Sequence, residues 1–157
     1  MRTTRMLAVF AAIGAAGSCS DNSTGIPTGL EVYTATLNGT NEAPTPVTTT
    51  ATGHAVVTVL GDSLVSWEVI IDSPIDSIIA GHIHRRAADS VAGPVAVSFA
   101  PPATGAGFAG TATIGSNAPA GAADSIFGII RAGRAYVNVH TKKNPGGEIR
   151  GTLVRVQ

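Results

Sequence analysis

Cysteine is almost absent. Cys19 is the only one in the chain, so no internal disulfide is available and the fold cannot be a disulfide-stapled scaffold. Charge is scarce too, and acids and bases cancel to a formal net charge of +0. That leaves no bulk positive field of the kind nucleic acids attract, and no nucleic-acid partner is expected. Helix-forming Leu, Lys and Glu are few beside Thr, Val, Gly and Ala, a balance that favours strands and glycine-marked turns. No Gly-x-Ser-x-Gly elbow, phosphate-cradling glycine motif or cysteine occurs in the body of the chain, so nucleophilic and phosphoryl-transfer chemistry lack their usual residues. No repeat with a period of 20 to 50 residues is evident either. A length of 157 residues fits one domain of ordinary size.

What is present begins with an address. Arg2 and Arg5 precede an apolar run from Met6 to Gly17, too short to span a bilayer and of the length of a signal-peptide core. Ala16-Gly17-Ser18-Cys19 follows, and small residues before a cysteine resemble the bacterial lipobox, in which the thiol is acylated and becomes the new N-terminus. Residues 1–19 are therefore read as a signal peptide with Cys19 as the lipidation site, and 20–29, broken by Gly25 and Pro27, as a tether. The expected location is the bacterial cell envelope, with the membrane as a partner through the lipid. An ordinary signal peptide with Cys19 as bystander is the other reading of the same residues.

Residues 30–157 carry the pattern of one β-domain. Short stretches with apolar residues at alternate positions run from Leu30, Ala55, Leu64, Ile78, Val95, Phe108, Tyr136 and Ile149, separated by Gly, Pro, Asn and Thr. Val65, Trp67, Val69 and Ile71 share one strand face, and Gly61-Asp62-Ser63 links that strand to the one before it. The last strand is expected to run unbroken from Ile149 to Val156. One short helix is predicted over 124–131, with Asp124 as cap, Ile126, Ile129 and Ile130 on one face, and Gly133 after its end. The fold class is all-β: an antiparallel Greek-key β-sandwich or barrel of about eight strands.

The chemistry gathers around the terminal hairpin. Val137 and Val139 alternate with Tyr136, Asn138 and His140, Asn144-Pro145-Gly146-Gly147 turns the chain, and Glu148 and Arg150 flank the inward Ile149. Upstream, His82 and His84 sit at i and i+2 around Ile83, so on a strand both imidazoles share one face and can chelate one ion. His140 completes three imidazoles, a set that suits copper or zinc with an open position. Glu148 would orient such a site from outside the ligand shell. With no fourth protein ligand in the sequence, the first reading is that the imidazoles bond loop backbone and fasten the loops down, and the metal site is its alternative. A Glu148–Arg150 ion pair is expected to lock the hairpin. Arg85, Arg86, Lys142 and Lys143 are placed in loops, Tyr136 and Trp67 in the packing, and His54 on an exposed strand face.

These motifs, taken in order, resemble the CHRD domain, the module repeated in chordin and present singly in many bacterial exported proteins. Leu37-Asn38-Gly39 with Glu42 and Pro44, Ala80-Gly81-His82-Ile83-His84 with Gly93-Pro94-Val95, and Tyr136-Val137-Asn138-Val139-His140-Thr141 with Gly147-Glu148-Ile149-Arg150-Gly151 carry the likeness. The resemblance implies a non-catalytic binding or scaffolding module acting on an unidentified protein or surface partner. A second likeness is to Cu,Zn superoxide dismutase, through His82 and His84 as a His-x-His ligand pair, His140 as a late ligand and Arg150 as an anion-guiding arginine. It implies the alternative, a mononuclear copper or zinc protein with redox activity toward small anions. The bridging and zinc-loop histidines of that enzyme, and its disulfide, have no counterpart here.

Overall fold

The computed structural model describes residues 29–75, 77–86, 91–101, 107–113 and 125–157. The signal segment, Cys19 and nearly all of the tether lie outside the described residues, as does Asp124. Strands occupy the stretches where apolar residues fall at every second position. The first three, β1 (Leu30–Asn38), β2 (Thr52–Leu60) and β3 (Leu64–Ile71), form an antiparallel meander. Their inward faces bury Tyr33, Ala35 and Leu37, then Ala55, Val57 and Val59, then Val65, Trp67 and Val69. The turn between β2 and β3 contains Gly61 at φ 60, a left-handed backbone that glycine adopts without steric cost.

The rest of the chain adds β4 (Ile78–Arg85), β5 (Val95–Phe99), β6 (Gly107–Thr113), the helix α1 (Ile126–Arg131), β7 (Ala135–Thr141), β8 (Ile149–Thr152) and β9 (Val154–Arg155). Hydrogen-bonded order along the sheet is β5-β4-β7-β8-β1-β2-β3-β6, with β9 on β1. β6 returns to β3, and β7 returns to β4 on the side away from β5; these two returns give the Greek-key order. The sheet curls until its two end strands approach each other. Among the described residues aromatic rings, not ladder bonds, close that seam: Trp67 stacks on Phe99 at 4.6 Å, and Phe99 meets Phe108 of β6 at 5.9 Å. Gly81 of β4 leaves them room, since a Cβ there would stand 3.0 Å from both phenyl rings.

Three details differ from the sequence reading. Ser125 caps α1, its side chain accepting from Gly128 N at 3.0 Å, in the role assigned to Asp124. The final strand is split, because the chain leaves β7 after Thr152 and continues along β1, where Tyr33 pairs with Arg155. Leu153, at the break, is 1% exposed, so the bend drives an apolar side chain inward. Arg85 belongs to β4, paired with Ala135, and is not in a loop.

Every residue of β7 is buried. Val137 and Val139 face the barrel interior opposite Ile83 and Gly81. Tyr136, Asn138 and His140 point outward, yet the segments after β1, before β5 and between β7 and β8 cover them. This loop-covered outer face carries the polar residues.

Candidate metal centre

Strand register assembles the site. On the outer face, β4 and β7 place His84 opposite Tyr136, His82 opposite Asn138 and Ala80 opposite His140, so His140 lies diagonal to His82. Because side chains at i and i+2 share a face, His82 and His84 project together while Ile83, fully buried, enters the core. One nitrogen from each of His82, His84 and His140 falls within 4.8 Å of the others. His82 Nδ1 and His140 Nε2 are 3.1 Å apart.

Two of the three rings are oriented by loop carbonyls. His84 Nδ1 lies 3.0 Å from the Gly93 carbonyl, and His140 Nδ1 lies 3.0 Å from the Pro145 carbonyl. A carbonyl oxygen only accepts, so both Nδ1 atoms carry the proton and both Nε2 atoms keep their lone pairs. His84 Nε2 is buried and has no hydrogen-bond partner. His140 Nε2 accepts from His82 Nδ1–H; for His82 to present Nδ1 to a cation, its proton need only move to Nε2. All three pKa values are lowered, chiefly by burial. His82 falls to about 4, with His140 and His84 adding to the effect of burial. At neutral pH the cluster is thus uncharged and rich in lone pairs, as a metal requires.

Tyr136 forms one wall. His84 stacks on it with ring centroids 4.9 Å apart and planes within 4°, and the Arg150 guanidinium, from the strand on the other side of β7, lies 3.6 Å from its centroid. The Tyr136 hydroxyl accepts from Gly93 N at 3.2 Å, tying the loop that orients His84 to the strand beneath it. Only glycine fits at 93, because a Cβ would collide with the Arg85 carbonyl.

Glu148 and Arg150 are both buried, but their partners differ from the expected ion pair. Arg150 donates to the Val91 carbonyl, and Glu148 accepts from Thr49, Thr141 and Asn144. No Glu148–Arg150 salt bridge occurs among the described residues. Burial pushes the Glu148 carboxyl up, yet those three hydrogen bonds and Lys143 together hold it below its ordinary value. Lys142 and Lys143 line, with Glu148, a neighbouring cavity of about 310 Å³. His54 is exposed and 3.1 Å from Asp72, away from the cluster. Trp67 belongs to the core seam.

The expected bonding of imidazoles to loop backbone is present at His84 and His140; sequence reasoning did not name the two carbonyls, and it missed the wall made by Tyr136. Spacing held a partial signal for Tyr136, which shares an outward strand face with His140 four residues on.

An all-strand barrel with an imidazole cluster on a loop-covered outer face defines the class. The CHRD domain family model matches residues 33–153, and the chain belongs to that family, whose domains serve generally as binding modules. No curated protein and no solved structure matches the chain.

Proposed function

We propose that this protein is an exported, lipid-anchored CHRD module of the bacterial cell envelope that binds one copper or zinc ion through His82, His84 and His140. The observation that carries the metal reading is the convergence of three nitrogens within 4.8 Å, with two rings set by backbone so that Nε2 keeps its lone pair. A metal held about 2.0–2.1 Å from each nitrogen brings the nitrogens to about 3.3 Å from one another. The 3.1 Å between His82 and His140 already lies near that span. His84 Nε2, buried without a partner, gains one through the metal, which accounts for a polar atom that is otherwise costly to bury.

The role is binding. Three neutral imidazoles leave an open coordination position, through which a metal-loaded module would engage a donor group on its envelope partner. The dismutase-like alternative draws no support from Arg150, whose guanidinium is engaged by Tyr136 and Val91.

The metal reading is tested by elemental analysis of protein purified without its first nineteen residues, after exposure to Cu²⁺ or Zn²⁺. One equivalent is expected in the native chain and a tenfold or larger loss of affinity in His84→Ala. Absence of bound metal under both conditions contradicts it. The anchor has its own test, since Cys19→Ser should move the protein from the membrane to the soluble fraction. Unchanged fractionation would remove Cys19 from the account.

A further inference from the structure

A second group of unsatisfied atoms lies beside the histidines. In the pairing register Asn138 stands between His82 on β4 and Arg150 on β8, and its side-chain amide donates to Glu42 Oε2 at 3.3 Å. Glu42 Oε1 and Asn138 Oδ1, the remaining atoms of the two groups, are buried and have no hydrogen-bond partner. With an ionised carboxyl, both would be acceptors facing no donor, a costly arrangement away from water. Neither atom exposes as much as 1 Å², so an ammonium or guanidinium ligand has no path to them. A calcium ion needs about 6–8 oxygen ligands, and this niche offers two free ones. One proton is enough to pair both.

We infer that Glu42 carries a proton in the folded domain and forms with Asn138 a cyclic acid–amide pair that clamps the segment following β1 onto β7. Oε1–H donates to Oδ1, while Nδ2–H donates to Oε2. The packing is built around this pair: a Cβ at Gly147 would stand 2.5 and 2.6 Å from the Glu42 oxygens and 2.7 Å from Asn138 Nδ2. Gly147 also has φ 143, so glycine is required there twice over.

The surroundings support the protonated form. Burial is the largest influence and raises the Glu42 pKa to about 7. The Asn138 hydrogen bond and the Arg150 charge work against it, and the Glu148 charge works with it. The inference stands whether or not a metal binds, but its consequence reaches the histidines. Glu42 and Pro145 line the same cavity of about 270 Å³, and the Pro145 carbonyl orients His140. Ionising Glu42 loosens the lid over that ring.

The sign of the pH effect follows from linkage. The folded value lies above the ordinary 4.5, so this contribution to stability is complete below pH 4.5 and is lost as pH rises to about 7. Glu42→Gln isolates it, because a glutamine amide makes the same two hydrogen bonds and cannot ionise. In the full chain, the unfolding constant of the native protein relative to Glu42→Gln should rise about tenfold per pH unit within that window, then level off. Carbon-13 NMR of labelled glutamate carboxyls should show one resonance titrating near pH 7 that is missing from Glu42→Gln. The inference is overturned if every glutamate midpoint lies below about 5, or if Glu42→Gln is less stable than the native chain at pH 8. Should Glu42→Gln fail to fold, the carboxyl titration of the native chain decides alone.

Discussion

At the scale of single residues, the site depends on which nitrogen of each ring is free. The His-x-His spacing of His82 and His84 was readable as one strand face, and His140 as an outward residue of the terminal hairpin. The tautomers were not readable, because they depend on the Gly93 and Pro145 carbonyls, which reach the rings only when the loops close. The Glu148–Arg150 pair failed for a related reason. Glu148 precedes β8, and each group takes its own loop partners, Thr49 for Glu148 and Val91 for Arg150. Burial of neutral imidazoles has a measurable consequence at this scale. Their folded pKa values lie below the ordinary 6.5, that of His82 at about 4. Their share of stability is therefore full above pH 6.5 and is lost as pH falls toward about 4, since the unfolded chain takes up protons first. Glu42 acts in the opposite sense, but it is one group against three. Urea midpoints should therefore fall on acidification from pH 6.5 to 4.5, and a flat profile would count against buried neutral rings.

At the scale of elements, alternation located the strands well, and β3 and β5 begin at Leu64 and Val95, where their patterns begin. The boundary errors have physical causes. α1 starts with the side chain whose oxygen reaches Gly128 N, and a serine does this as well as an aspartate. The last strand broke at Leu153, whose side chain turns into the core; beyond it the chain pairs with β1 alone. The seam between β5 and β6 was not legible at all. Period-2 patterning says which residues face inward, not which end strands will meet. Where backbone bonds are missing, the stack of Trp67 on Phe99 bears the closure. Phe99→Ala should lower unfolding free energy by about 3–5 kcal/mol, measured by denaturant titration. A loss under about 1 kcal/mol would mean that the seam is held by something other than these rings.

At the scale of the whole molecule, a barrel without disulfides is tied together by buried polar anchors as well as by its core. Arg131 at the end of α1 reaches Glu31 on β1 and Asp62 in the β2–β3 turn, joining a late element to an early one. The loops over β7 are held by hydrogen bonds that His84 and His140 make to loop carbonyls and that Tyr136 and Glu148 accept from loop groups. One set of contacts therefore both fastens those loops and sets the imidazole nitrogens, so the fastening role and the proposed metal-binding role rest on the same bonds. The most direct measurement of the central claim is X-ray absorption at the metal edge of the chain loaded with Zn²⁺ or Cu²⁺. The account predicts three imidazole nitrogens at about 2.0–2.1 Å. Fewer than three imidazoles, or an ion held by carboxylates alone, would contradict it.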